Sequence, residues 1–313
     1  MAAGGDAARA VAVEGLTKRF GRVLAVDDLT FSVSSGRVTG FLGPNGAGKT
    51  TTLRILLSLV APTAGRATIG GQRYQDLKDP LRTVGAALEA TGFHAGRSAR
   101  DHLRVLAATA AIPERRVEEV LGLVGLTEAA RRRVGGFSMG MRQRLALAAA
   151  LLGDPAVLLL DEPANGLDPE GIRWLRGFLR HLAGQGRTVL VSSHVLSEVR
   201  QTVDDVVIIT RGRLVRQAPL AELEGVPATV VRTPTPRPLV QALTAAGIAV
   251  EDGAEDGLLR VRGSTAADVG ALAHRGGIEL HELRTEVSDL EATFLALTAD
   301  PDGPREGAPS WSG

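Results

Sequence analysis

The 313-residue chain contains no cysteine. That excludes disulfide scaffolds and thiolate metal sites, and it is fully compatible with a reducing compartment. Lysine is almost absent too: Lys18, Lys49 and Lys78 are the only ones, and arginine supplies every other fixed cation. Such a skew follows genomic base composition, so a lysine inside a special loop marks a need for lysine itself. Neither sign of charge dominates. The formal net charge of +1 gives no bulk electrostatic case for nucleic acid or anionic lipid. Long apolar runs are missing as well. Leu145–Leu152 and Val157–Leu160 fall far short of the roughly 20 residues a spanning helix needs. Residues 1–10 carry no apolar signal core, so a cytosolic chain is expected. Work at a membrane would then need another polypeptide as anchor.

What is present suits one large domain and a smaller one, since 44% of residues are apolar and the chain is long enough to bury a sizeable core. After a flexible 1–10, strand patterns occupy Ala10–Glu14 and Leu24–Val33. A buried strand at Arg37–Leu42 runs into the glycine-rich Gly43–Gly48 and then a helix, Lys49–Val60. Short strands follow at Arg66–Ile69 and Thr83–Leu88. The pattern from Ser98 to Leu152 is helical. Beyond it lie a strand at Val157–Leu160, a helix at Pro169–Leu182, a strand at Thr188–Ser192, and a hairpin of Val206–Thr210 and Arg213–Gln217 around Arg211-Gly212. Four prolines between Pro227 and Pro238 mark a break, and the first domain is expected to end near Leu223. Residues 228–299 read β-α-β-β-α-β with a trailing helix at Ser288–Leu297, a split-βαβ order, and 300–313 read as a disordered tail.

The chemistry-bearing residues all precede that break. Gly43-Pro44-Asn45-Gly46-Ala47-Gly48-Lys49-Thr50-Thr51 fits the phosphate-loop pattern GxxxxGK[ST], with a strand before it and a helix after it. Its glycines let successive backbone N–H groups curl toward phosphates, and the helix N-terminus adds partial positive charge. Lys49 reaches the β- and γ-phosphates, and the Thr50 hydroxyl suits Mg²⁺. Val157–Leu160 is an apolar strand that ends in two carboxylates. Asp161 is placed to hold the Mg²⁺ shell, and Glu162 is the candidate general base for water. Ser138 caps the helix that follows it and also offers a hydroxyl to an anion. His194 closes a strand on the edge where α/β sheets bind ligands. The ring of Phe20 suits either stacking on a base or a surface anchor.

Taken together, these residues resemble the nucleotide-binding subunit of ABC transporters over roughly residues 10–222. The order is specific: phosphate loop, helical insert at about 90–152, signature at 137–141, Asp161-Glu162, then His194. The resemblance implies an α/β P-loop core with an inserted helical subdomain over 11–223, plus a small α+β C-terminal domain. It implies ATP and Mg²⁺ as cofactors and a head-to-tail homodimer, in which Ser138 and Gly140 of one subunit close over ATP held by the other. Phe20 becomes the adenine-stacking aromatic, Asn165–Asp168 the D-loop and His194 the switch histidine. Two positions depart from the commonest family pattern. The signature reads Phe-Ser-Met-Gly-Met, with Met141 in place of a glutamine, and Glu89 stands nearest to the glutamine that usually joins the insert to the core. Glu89 can hold a metal-bound water, and it also reads as a solvated loop charge. Both departures are similar to those of drug-, antibiotic- and lantibiotic-resistance exporters, whose partner is a separate ABC-2 type permease. A permease contact is expected along Ala87–Arg97, with Phe93 as its anchor. No nucleic-acid partner is expected. The alternative is a soluble cassette ATPase that acts as a regulator or on ribosomes or DNA. Intact Glu162 and His194 speak against a non-hydrolysing regulator, and a single cassette without heptads speaks against the ribosomal type.

Overall fold

The computed structural model describes residues 9–88, 92–195, 200–223, 228–252 and 257–286. Glu89, the expected trailing helix and the expected tail lie outside them. The described residues divide into two compact units between Leu220 and Ala221.

In the first unit, β1 (Arg9–Phe20) lies between β2 (Val23–Ser34) and β4 (Ala64–Ile69) in an antiparallel sheet. β1 runs well past the Glu14 expected from alternation. Its register shifts at Val13/Leu16, Leu16/Lys18 and Lys18/Arg19. Each irregularity breaks the period of two that marks a strand in a sequence.

A second sheet has the order β5-β6-β7-β3-β8-β9. Its members are β3 (Val38–Leu42), β5 (Val84–Ala87), β6 (Val157–Leu160), β7 (Thr188–Ser193), β8 (Asp205–Thr210) and β9 (Arg213–Pro219). The first five are parallel, and β8–β9 is an antiparallel hairpin. Every residue of β3, β6 and β7 is buried. That is why they read as continuous apolar runs rather than alternating ones.

α1 (Lys49–Leu56) stops short of the expected Val60. Ser58 turns left-handed at φ 57°. The Leu59 amide donates back to the Arg54 carbonyl and the Ser58 amide to the Ile55 carbonyl, both at 2.9 Å. These two bonds are a Schellman stop. After the short α2 (Pro80–Thr83), the helical insert resolves into α3 (Ala99–Thr109), α4 (Arg115–Leu123) and α5 (Met139–Ala150). The three pack on one another, and Leu103, Ala107, Val120, Leu121 and Leu145 on them are buried. α6 (Pro169–Gly184) follows β6 and is capped by Asp168, which accepts from the Gly171 amide at 2.7 Å.

A short α7 (Leu220–Leu223) straddles the division between the two units, and the second unit holds a fully antiparallel sheet of order β11-β12-β10-β13. Its strands are β10 (Ala228–Arg232), β11 (Val250–Asp252), β12 (Leu258–Arg262) and β13 (Glu282–Glu286). α8 (Pro236–Ala245) and α9 (Ala266–Arg275) bring Leu239, Leu243, Val269 and Ala273 onto Val231, Leu259 and Val261. This is the split-βαβ order. α9 starts in a capping box made by Thr265 and Asp268.

Candidate nucleotide site

The carboxyl ends of β3, β6 and β7 are neighbours, and the loops that leave them carry the polar residues. From β3 the chain enters the glycine loop. Gly43 lies so close to β8 that a Cβ would strike the Ile209 carbonyl oxygen. Gly48, at φ 102°, caps α1, and a Cβ there would sit 2.5 Å from the Ala25 carbonyl oxygen. No side chain caps α1, and no acid lies in its first turn. Its leading N–H groups therefore remain an electropositive cradle.

Lys49 is only 6% exposed. Its ammonium donates to the Gly43 carbonyl at 2.6 Å and the Pro44 carbonyl at 3.2 Å, and lies 3.3 Å from Glu162 Oε1. The opposite Glu162 oxygen, Oε2, meets His194 Nδ1 at 2.9 Å. Glu162 is thus held between a cation and an imidazole, with its backbone at φ 47°. Thr50 Oγ1 donates to Asp161 Oδ2 at 2.7 Å. That separation is close to the edge of about 2.9 Å expected between adjacent ligands of octahedral Mg²⁺. Two hard oxygens at this spacing would suit such an ion. The remaining Asp161 oxygen, Oδ1, accepts from the Ser192 hydroxyl, and that same hydroxyl accepts from the Glu162 amide at 2.9 Å.

One open cavity of about 450 Å³ has Phe20, Asn45, Lys49, Thr50, Glu162 and His194 on its walls. Phe20 comes from the far end of β1 and is 48% exposed. Lys18 Nζ lies 4.8 Å from its ring centroid and donates to the Ala61 carbonyl at 2.7 Å. Asn45 to Thr51 also line the cavity, while Gly43 and Pro44 lie behind that lining and accept from Lys49 through their carbonyls. Asp161 joins through Thr50.

Ser138, Gly140 and Asp168 lie outside the cavity of their own chain. Ser138 caps α5 by accepting from the Met141 amide at 3.2 Å. Gly140 packs on Leu167, and Met139 on Gly166, so the signature rests on the D-loop of its own chain. Phe93 is half-buried, edge-on to the His102 ring at 5.0 Å. Sequence reasoning missed Ser192. Its only signal is a hydroxyl pair, Ser192-Ser193, at the end of an otherwise apolar strand just before His194.

A phosphate loop, a strand-end acid pair and a histidine on the edge of a parallel sheet define a P-loop ATPase. The family described as ABC transporter matches residues 26–165. The bacitracin transport ATP-binding protein of Bacillus licheniformis is 45% identical over 212 residues, 67% of this chain and 69% of that one. The chain belongs to the ATP-binding subunits of ABC transporters. A lantibiotic transport ATP-binding protein of Streptococcus pyogenes is 35% identical, over 65% of this chain and 88% of its own length. A solved ATP-binding subunit of an ABC transporter is 27% identical with a TM-score of 0.62, covering 68% of this chain and 91% of that one. A dimeric cassette bound to ADP and Pi shares the fold at 24% identity and a TM-score of 0.61, over 67% and 98% of the two chains. Residues 227–291 match a second family, described as a domain of unknown function.

Proposed function

We propose that this chain is the ATP-hydrolysing subunit of an exporter of antibiotic- or peptide-like compounds, acting through a separate ABC-2 type permease. The observation that carries a separate partner is an apolar cleft of about 410 Å³ on the first unit, at a distinct place from the nucleotide cavity. Leu57, Leu59, Tyr74, Leu81, Leu106 and Ile112 line it. Leu59 is 66% exposed and Leu81 44%, an arrangement suited to receiving an apolar helix. The cleft draws on the end of α1 and on α3, with Leu59 and Leu106 as its apolar anchors, and the contact expected along Ala87–Arg97 lies partly outside the described residues. Among the described residues no helix is long and apolar enough to cross a membrane, which accords with docking on the inner face of the membrane through that partner. The bacitracin and lantibiotic transport roles of the relatives support the substrate class.

In this reading each residue of the site has a role. The N–H cradle and Lys49 hold the phosphates, and Phe20 stacks on the base. Mg²⁺, held by Thr50 and Asp161, neutralises phosphate charge when bound. Glu162 takes the proton of the attacking water, and His194 holds the carboxylate in place. Ser138 and Gly140 close over the nucleotide of a second subunit in a head-to-tail dimer, with Asp168 anchoring the D-loop beside them. Glu89, outside the described residues, is assigned to the metal-bound water.

The test is co-expression with an adjacent-gene permease. Leu59→Asp with Leu106→Asp should abolish co-purification and leave basal ATPase activity within about twofold. Wild-type recovery of the complex would refute the docking site.

A further inference from the structure

Ser192 is fully buried, at 0% exposure, yet its hydroxyl is placed among the catalytic groups. A serine hydroxyl has one proton to give and lone pairs to accept with. Here the proton goes to Asp161 Oδ1, and a lone pair takes the Glu162 amide at 2.9 Å. One side chain thus ties the metal-side carboxylate to the backbone of the base. Glu162 needs such a tie because its φ of 47° is left-handed, which non-glycine residues adopt only when their surroundings over-determine it. The same strand end holds two further parts of the site. The Ser193 carbonyl accepts from the Gly43 amide at 3.4 Å, and His194 meets the Glu162 carboxylate at 2.9 Å.

We propose that Ser192 is a positioning residue for hydrolysis: its hydroxyl fixes the Glu162 backbone in the conformation that brings the carboxylate between Lys49 and His194. The inference rests on Glu162 being the general base. Without the hydroxyl, the Glu162 amide loses its acceptor and the peptide relaxes toward ordinary strand geometry. A displacement of about 1 Å of a catalytic group costs on the order of a hundredfold in rate. Ser192 does not line the nucleotide cavity. Asp161, which loses one hydrogen bond in its absence, is still held by the Thr50 hydroxyl at 2.7 Å and by its own amide's bond to the Ala87 carbonyl at 2.8 Å, so nucleotide binding changes little.

The experiment is steady-state ATPase kinetics on the full chain. Ser192→Ala should lower kcat about 10- to 100-fold and keep KM for ATP within about twofold. Ser192→Thr keeps the hydroxyl. Ser192 borders a small cavity of about 20 Å³ beside Ile172, Leu175 and Leu179, and with the hydroxyl kept this variant should retain kcat well above that of Ser192→Ala. Within a Glu162→Gln background, Ser192→Ala should reduce kcat no further, because the group it positions is already gone. Wild-type kcat in Ser192→Ala, or equal loss in the Thr and Ala variants, would overturn the proposal. Should the Ala variant not fold, Ser192→Cys decides. Its weak acceptor sulfur should lower kcat at unchanged KM, and an unchanged kcat overturns the idea. Normal turnover in Glu162→Gln alone instead defeats the base assignment beneath it, a separate result from any behaviour of Ser192.

Discussion

Lys49 is engaged by Glu162, and Glu162→Gln should therefore tighten ADP binding rather than merely preserve it. The Lys49 ammonium lies 3.3 Å from Glu162 Oε1, with side-chain exposures of 6% and 19%. At that distance the Coulomb attraction is about 5 kcal/mol for an effective dielectric of about 20. Much of it survives the substitution in other forms. The glutamine oxygen still accepts a hydrogen bond, and water reaches the rim of the open cavity. Roughly 1–2 kcal/mol is left as the net cost of drawing Lys49 toward phosphate in the native chain. The variant omits that cost and removes a negative charge facing the ligand. Affinity should rise about 5- to 30-fold. ADP is the ligand of choice because it undergoes no turnover. Isothermal titration of ADP and Mg²⁺ into wild type and variant reads the difference directly. An unchanged or weaker ADP affinity would show that the Lys49–Glu162 pair does not restrain the lysine.

Phe20→Ala should weaken ATP binding by about 1–3 kcal/mol, the usual worth of base–aromatic stacking, and leave inorganic triphosphate binding alone. Because the ring is half-exposed, the melting temperature should hold, and equal losses for both ligands would refute stacking. Ser138→Arg should abolish turnover while ATP still binds the isolated subunit, as equilibrium dialysis would report; retained turnover argues against a shared site. Burial of the His102 ring against Phe93, with Arg97 nearby, holds its pKa below the usual 6.5. The folded state therefore favours neutral imidazole. Stability attached to this group is complete above pH 6.5 and is lost as pH falls through the lower folded value. The drop in melting temperature between pH 7.5 and 5.5 should shrink in His102→Gln, and an unchanged drop contradicts the assignment.

The site was legible wherever a residue type is rare in its setting. Two carboxylates at the end of Val157–Leu160, and a lysine in a chain that otherwise uses arginine, stand out against their backgrounds. Strand β6 was legible to the residue, because a continuous apolar run flanked by turn formers admits few other folds. β1 was half-hidden, since its bulges shift the apolar positions off their period. The stop of α1 was hidden because it rests on a left-handed serine rather than a glycine, and Ser58 looks like any other surface serine. Ser192 was invisible for a different reason. Its significance is relational: a hydroxyl gains meaning only when the parallel pairing of β6 with β7 brings Asp161 and Glu162 beside it.

The position of β3 also sets how the molecule opens. This strand carries the phosphate loop and is the fourth of six, paired in parallel to β7 on one side and β8 on the other, with all five residues buried. No fraying of an outer strand frees its amides. Hydrogen exchange at residues 38–42 should follow whole-unit unfolding, whereas the outer strand β9, largely exposed, can exchange through local opening. Nucleotide bound at the end of β3 therefore acts on the most protected part of the sheet. Slowed exchange there would report ligand affinity in the form of global stability, and a destabilised core would weaken the site only by depopulating the folded unit as a whole.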